Sequence, residues 1–279
     1  MYLRPRTVGE ACAALSERPA AVMLSGGTDV FPAWGEKPRP DYILDLSLLA
    51  DLAAIRIEPD HVSIGARATW SALCKAELPA CFDALKQAAR EVGSIQIQNV
   101  ATLGGNLCNA SPAADGVPPL LVLDAEVELV SVAGARRLPL SDFLLGNRRT
   151  TRRPDEMLTR ILVPRTIDDG RTAFLKLGAR RYLVISIVMV AAVVSLENGR
   201  VREARVAIGS CSAVACRLPS LEAALIGRQA AGGLGRHVEA EHLLPLTPID
   251  DVRASAAYRV EAAHELVCRA LDACCDPGA

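Results

Sequence analysis

The stretch ATLGGNLCNASPAAD, residues 101–115, is the most informative part of the 279-residue sequence. It contains two adjacent glycines, Gly104 and Gly105. Thr102 and Asn106 border the pair with a hydroxyl and an amide side chain. Adjacent glycines allow successive backbone N–H groups to face one concave surface, because no Cβ stands in the way, and such a surface suits a pyrophosphate. A tight turn without a ligand is the alternative interpretation.

A second glycine pair with similar neighbours lies upstream, in residues 25–29, SGGTD. A short apolar segment, residues 21–24, precedes it and predicts a strand that ends in a glycine turn. Two loops with the same polar neighbours strengthen the case for a phosphate site, and two tight turns without a ligand remain the alternative. Neither loop matches GxGxxG, and the sequence contains no GxxxxGK[ST], so a Rossmann dinucleotide site and a P-loop are poorly supported.

Composition and charge limit the class of protein. Hydrophobic residues make up 51% of the chain and charged residues 23%, which is typical of a globular protein. The 31 basic and 32 acidic residues nearly cancel, so the chain lacks the basic excess of a nucleic-acid-binding protein. The longest apolar run, residues 183–196, is too short for a membrane helix and predicts a buried strand. Without a signal-peptide pattern at the start, we expect a cytoplasmic protein with no membrane span.

The cysteines and histidines do not predict a metal centre. Nine cysteines are present, but only Cys211 and Cys216 have a C-x4-C spacing, and Pro219 stands where a third iron–sulfur ligand would be due. The four histidines lack the spacing of zinc ligands. We therefore expect no iron–sulfur cluster, no bound metal and no catalytic acid, base or nucleophile in this chain.

Helix and strand patterns predict an α+β protein of two domains. Residues 1–52 read as a small α/β unit, and residues 53–170 as a second subdomain, together forming domain 1–170. In residues 171–279, the Asn198-Gly199 pair between two β-rich runs predicts a hairpin. Apolar residues recur at helical spacing from Val252 to Leu271, so residues 250–274 are expected to form an amphipathic helix on that hairpin.

With residues 24–29, LSGGTD, the TLGGN and SPAAD segments resemble the FAD-binding medium subunit of the molybdenum hydroxylases, the family that includes xanthine dehydrogenase and aerobic carbon monoxide dehydrogenase. The resemblance extends over essentially the whole chain. It implies a two-subdomain FAD-binding region with the fold of the vanillyl-alcohol oxidase type, followed by a C-terminal domain of antiparallel sheet and helices.

The resemblance also implies which residues bind FAD. Two loops would surround the pyrophosphate, Asp115 would bind the ribityl or adenosine side, and Leu158 and Lys176 would contact the flavin, where a cationic Lys176 would favour the anionic reduced ring. Val92 occupies the position of a ring-stacking Phe in xanthine dehydrogenase, and Tyr182 is only a weak substitute for that ring. The expected FAD-binding residues are Leu24, Ser25, Gly26, Gly27, Thr28, Asp29, Val30, Thr102, Leu103, Gly104, Gly105, Asn106, Asp115, Leu158 and Lys176.

In this family, a molybdenum subunit oxidises the substrate and a small [2Fe–2S] subunit relays electrons to FAD. The chain would therefore be one component of a complex that delivers electrons to NAD⁺, a quinone or O₂. A self-contained FAD oxidase or dehydrogenase is one alternative, although the C-terminal 100 or so residues offer no recognisable acid–base pair for a private substrate pocket. A non-redox scaffold that retains the fold is the other.

Overall fold

The computed structural model describes residues 1–35, 38–181 and 183–275. The N-terminal part, as far as residue 53, forms a small parallel sheet of order β1-β3-β2. Thr7 caps the first helix by accepting a hydrogen bond from the Glu10 amide, as its position in the sequence predicts. The elements are β1 (Tyr2–Leu3), α1 (Val8–Glu17), β2 (Val22–Leu24), α2 (Val30–Trp34), β3 (Ile43–Asp45) and a 3₁₀ helix (Ala50–Ala53).

The central part is built on a five-stranded antiparallel sheet of order β4-β5-β10-β6-β7, with helices packed against it. A two-stranded sheet, β8-β9, lies beside it. The elements are β4 (Ile55–Ile57), β5 (His61–Gly65), α3 (Trp70–Lys75), a 3₁₀ helix (Ala80–Phe82), α4 (Asp83–Glu91), α5 (Ile95–Val100), α6 (Leu103–Asn109), α7 (Val117–Val122), β6 (Glu126–Ser131), β7 (Gly134–Pro139), α8 (Leu140–Phe143), β8 (Leu144–Gly146), β9 (Arg149–Thr150) and β10 (Met157–Pro164).

The C-terminal part contains a four-stranded antiparallel sheet of order β11-β12-β13-β14. Its elements are β11 (Arg171–Leu177), β12 (Val188–Glu197), β13 (Arg200–Gly209), β14 (Cys216–Arg217), α9 (Pro219–Leu225), two 3₁₀ helices (Gly235–His237 and Ala240–Leu243) and α10 (Ala256–Cys275). The predicted hairpin is confirmed: Asn198 and Gly199 join β12 to β13, both with positive φ.

Strand β12 explains the long apolar run in the sequence. Its residues from Val188 to Ser195 are all buried. Met189 and Val193 pack into the hydrophobic core of the central part, whereas Val190 and Val194 belong to the C-terminal core with helix α10. A strand that is covered on both faces needs apolar residues at every position, not at alternate ones.

The C-terminal helix is shorter than the sequence predicts. It begins at Ala256, so the expected start at residue 250 is wrong. Val252 lies outside the helix and is fully exposed, and Val260 faces solvent in part, although both were expected on the packed face. Asp251 prevents an earlier start, because its carboxylate accepts from the amides of Arg253 and Ala254 and forms a turn instead.

The α+β architecture expected from the sequence is confirmed. Among the described residues, no helix is both long and apolar enough to cross a membrane.

Candidate functional site

Both glycine loops line a single cavity of about 620 Å³, a size typical of small-molecule sites. We call residues 25–29 the first glycine loop and residues 102–106 the second. Of the expected binding residues, the cavity is lined by Ser25, Gly26, Gly27, Thr28, Asp29, Val30, Thr102, Gly104, Gly105, Asn106 and Leu158. Leu24, Leu103, Asp115 and Lys176 lie outside this lining. The sequence-based expectation that the loops converge therefore agrees with the structure.

Close backbone approach explains two of the glycines. A Cβ on Gly26 would overlap the carbonyl oxygen of Val100, so the first loop lies directly against the chain that leads into the second. A Cβ on Gly104 would stand 2.6 Å from the carbonyl oxygen of Ala66. Any larger residue at either position would push backbone apart. These glycines are required by packing within the protein.

The first glycine loop offers free hydrogen-bond donors. It follows β2 directly, and within the described residues the backbone amides of residues 25–29 donate to no protein acceptor. Gly27 has a φ of 74°, which favours glycine. Successive unpaired amides in a turn form an anion-binding concavity. This loop has the donors that a phosphate group requires.

The second glycine loop does not offer free backbone amide donors. Its amides are used inside the protein: Leu103 donates to the Ala68 carbonyl and Gly104 to the Ala66 carbonyl, both at 2.9 Å. The amide of Gly105 donates to the Thr102 hydroxyl at 3.1 Å, which caps helix α6. The sequence-based argument that both loops turn amides toward a ligand is therefore wrong for this loop, because the start of a helix and a neighbouring strand end satisfy those amides.

Three buried polar atoms at the cavity lack a hydrogen-bond partner among the described residues: Ser25 Oγ, Asn106 Oδ1 and Arg67 Nε. A buried polar group without a partner costs about 1–3 kcal/mol. Donors and acceptors on a bound molecule would remove that cost. A diphosphate with attached sugar hydroxyls offers both, so the residues present fit the polar middle of FAD.

Asp115 and Lys176 form a buried pair outside the cavity lining. Lys176 Nζ lies 3.0 Å from Asp115 Oδ2, and Ser186 Oγ donates to the other carboxylate oxygen at 3.0 Å. Burial raises the pKa of Asp115 above its usual value, although the Lys176 charge and the hydrogen bonds from Lys176 and Ser186 oppose this rise. Lys176 and Asp115 are thus held together as a buried, hydrogen-bonded pair.

The buried pair adjoins the cavity through the end of helix α4. Lys176 lines a cleft together with Glu91 and Phe174, and its Nζ also donates to the Glu91 carbonyl at 3.4 Å. The next residue, Val92, lines the cavity of the glycine loops. Consecutive residues at the end of α4 thus line the cleft and the cavity. Val92 supplies no ring, and Tyr182, the expected aromatic substitute, lies outside the described residues.

A third wall of the cavity comes from the segment before β10. Glu156 is almost fully buried, and its carboxylate accepts from the guanidinium groups of Arg136 and Arg153. The hydrogen bond from Arg136 lowers the pKa of Glu156 to about 2 despite its burial. Met157 and Leu158, the next residues along the chain, line the cavity. This ion-pair network fixes the position of that wall.

Several cavity residues were not found from the sequence. Among them are Arg67, Cys108, Arg148 and Arg152. Arg67 follows strand β5 and precedes a helix cap, a place where a cation can face a neighbouring loop. Arg148 lies between strands β8 and β9, and Arg152 follows β9. Their place on the cavity required tertiary structure, because it depends on strands β8 and β9 folding back.

Comparison with family models and known proteins covers nearly the whole chain. Residues 1–166 match the family described as FAD binding domain in molybdopterin dehydrogenase. Residues 173–274 match the CO dehydrogenase flavoprotein C-terminal domain. Both glycine loops fall within the first match.

Among curated proteins, the chain is 36% identical to the nicotinate dehydrogenase FAD-subunit of Eubacterium barkeri over 67% of this chain and 66% of that protein. It is 28% identical to the glyceraldehyde dehydrogenase medium chain of Sulfolobus acidocaldarius over 97% and 96% of the two chains. Among solved structures, it is similar to carbon monoxide dehydrogenase from Hydrogenophaga pseudoflava, with a TM-score of 0.89, 27% identity, and coverage of 98% and 96%.

Proposed function

This chain belongs to the family of FAD-binding domains of molybdopterin dehydrogenases, and on that premise we propose that it is the electron-transfer subunit of a molybdenum hydroxylase. It is an oxidoreductase component whose cofactor is FAD. We propose that it accepts electrons from a [2Fe–2S] small subunit. That small subunit would receive the electrons from a large subunit that carries the molybdenum cofactor. This chain then passes them to NAD⁺, a quinone or O₂.

The observation that carries this proposal is the cavity between the two glycine loops. The first loop supplies unpaired amides, and Ser25 and Asn106 supply buried polar atoms without protein partners. We assign the FAD diphosphate to this place. Residues 25–30 and 102–106 would hold it, the second loop acting as a close-packed wall and not as a set of amide donors.

We assign the flavin side of the cofactor to the region around the end of α4, where Glu91 lines the cleft and Val92 lines the cavity. Leu158 lines the cavity, and the Lys176–Asp115–Ser186 cluster lies beyond Val92. These polar groups would hold the ring by hydrogen bonds, with Asp115 as the acidic partner of Lys176. When bound, FAD supplies the electron-accepting and electron-releasing chemistry, and the protein binds and orients it.

We also propose a division into domains at residues 1–170 and 171–279, with subdomains of about 1–52 and 53–170. Each of the three parts has its own sheet. The cavity is lined by residues from the first two parts, with β2, β3, α6 and β10 contributing or adjoining its walls. In this arrangement, a cofactor would lie between the two subdomains, as in other sites between structural units.

The test starts with affinity purification of the tagged full-length chain from its native cells. We expect a yellow protein that releases FAD on denaturation and co-purifies with iron and molybdenum, measured by elemental analysis. After anaerobic reduction of this complex, stopped-flow absorbance should show flavin reoxidation by NAD⁺, by a soluble quinone or by O₂. Recombinant chain without partners is the control.

Two results would contradict the proposal. A colourless chain that does not take up added FAD would remove the cofactor from its function. A yellow chain that carries no iron or molybdenum partner and turns over an organic substrate alone would identify a self-contained flavoenzyme.

A further inference from the structure

Arg67 lies on the cavity with most of its hydrogen-bonding capacity unused. It follows strand β5, and its Nη1 donates to the Leu49 carbonyl at 2.9 Å. Its Nε is buried and has no partner in the described part of the chain. A guanidinium carries five N–H donors in a fixed plane. One edge of Arg67 is therefore anchored on the protein, whereas Nη2 donates to no protein acceptor in the described part of the chain.

Arg67 also lacks a counter-charge. No carboxylate among the described residues forms an ion pair with it. The nearest acidic influence is Asp45, whose carboxylate is occupied by Tyr2, by the Ser47 amide and by Arg4. Burial lowers the pKa of Arg67, and Asp45 only partly offsets that effect. A partly buried cation without an anion is costly unless a ligand supplies one.

The charges around the cavity favour an anionic ligand. Among the described residues, its lining carries three arginines, Arg67, Arg148 and Arg152, and one carboxylate, Asp29. Arg152 directs Nη1 at backbone carbonyls, including that of Glu156 at 2.7 Å, and Arg148 is exposed. Arg67 is thus the cation that is held inward. It is also tied to the first glycine loop, because Leu49 and Leu24 are linked through hydrogen bonds of Leu46.

We propose that Arg67 binds the diphosphate of FAD, together with the free amides of the first glycine loop. This inference rests on the proposed cofactor site. The two phosphates carry two negative charges, and the planar guanidinium can donate two parallel hydrogen bonds to phosphate oxygens. Amides position the diphosphate, and Arg67 neutralises part of its charge.

The experiment uses full-length chain freed of FAD and titrated with FAD, ADP and adenosine. Arg67→Gln keeps a donor for Leu49 but removes the charge. We expect it to weaken FAD and ADP binding about 10- to 100-fold, the usual effect of losing a hydrogen bond to a charged group. Adenosine, which has no phosphate, should bind as it does to the wild type. The ADP-to-adenosine affinity ratio therefore reports the diphosphate contact.

Arg67→Lys retains the charge without the planar donor pair. Its FAD and ADP affinities should therefore lie between those of the wild type and Arg67→Gln, and its FAD binding should keep the salt dependence of the wild type. Arg160→Gln is the matched control. Arg160 lies in strand β10, 3.8 Å from Glu128, and does not line the cavity. Its FAD and ADP affinities should equal those of the wild type. Thermal unfolding of each cofactor-free variant checks the fold.

An unchanged ADP-to-adenosine ratio in Arg67→Gln, or in Arg67→Lys if the glutamine variant does not fold, would overturn the inference. So would equal losses for ADP and adenosine, since these indicate a structural role at Leu49. Unchanged FAD affinity with a raised KM for NAD⁺ in the complex would assign Arg67 to an acceptor's diphosphate instead. If the wild-type chain does not bind FAD, that result contradicts the proposed function itself and not only the role of Arg67.

Discussion

The two glycine loops look alike in sequence and differ in what they do. Each has adjacent glycines beside hydroxyl and amide or carboxylate side chains. In the first loop, residues 25–29, the amides have no acceptor among described residues, whereas in the second, residues 102–106, internal hydrogen bonds use them. A glycine pair can thus expose donors or permit close packing. The partners of its amides decide which.

The largest expected effect follows from Gly104→Val in the second loop. The new Cβ would stand 2.6 Å from the Ala66 carbonyl oxygen and 2.7 Å from the Ala66 Cβ, and backbone cannot yield as a flexible side chain does. We expect a loss of about 3 kcal/mol or more in unfolding free energy, or insoluble protein. Chemical denaturation of cofactor-free chain measures it.

Gly105→Ala is the matched control for that variant. A Cβ at residue 105 meets only the Thr102 hydroxyl, at 2.9 Å. It should therefore unfold within about 1 kcal/mol of the wild type. If Gly104→Val is as stable as Gly105→Ala, the second loop is not the close-packed wall described here.

Gly105→Val should separate binding from folding. Gly105 is exposed at the cavity, so a branched side chain there would project into space assigned to FAD. We expect folded protein with FAD affinity reduced about 100-fold or more, measured as the ratio of flavin to protein absorbance after gel filtration. Normal FAD content in this folded variant would exclude the second loop from the site.

Glu156→Gln tests the third wall of the cavity. The pKa of Glu156 is lowered to about 2, so the folded state favours its charged form. The charged carboxylate therefore stabilises the folded protein fully at a pH above 4.5, the ordinary pKa of a glutamate. This stabilisation is lost as the pH falls through about 2. We expect Glu156→Gln to lower the free energy of unfolding by about 2 kcal/mol at pH 7. The full pKa shift would give more, but Arg136 and Arg153 are partly exposed and solvent screens their charges.

Urea denaturation of both proteins at pH 7 and at pH 3 measures that difference. The gap between wild type and Glu156→Gln should narrow at the lower pH. A gap that stays constant across this range would mean that the glutamine acts through packing and not through charge.

The smallest effects should distinguish the loops most directly. Ser25→Ala removes an unpaired buried hydroxyl from the first loop, so it should weaken FAD binding about tenfold with little change in stability. Thr102→Ala removes the cap of α6 and should cost about 1 kcal/mol of stability, with a smaller effect on FAD. FAD titration and thermal unfolding of both variants measure these two effects. The reverse pattern would exchange the roles assigned to the two loops.

Local signals in the sequence predicted much of the fold. Thr7 specifies its helix cap and Asn198-Gly199 its hairpin through contacts within a few residues, and the structure has both. The convergence of the glycine loops was expected through the family resemblance. Val252 was placed wrongly because helical spacing continues past the point where Asp251 binds nearby amides.

The remaining site features depend on contacts between distant residues. Whether the amide of Gly104 is free depends on Ala66, and whether Arg67 has a counter-charge depends on how Tyr2 and Arg4 occupy Asp45. Neither relation is visible in residue order. Sequence patterns therefore identified the loops but not which of their donors remain available.

Strand β12 has a consequence for how the chain can be divided. One of its faces completes the hydrophobic core beneath the cofactor region, where Met189, Ala191 and Val193 pack with residues of the central part. A fragment that stops at residue 170 would leave that core open to water. Residues 1–166 and 173–274 match two separate family models, yet strand β12 of the second supplies part of the hydrophobic core of the first.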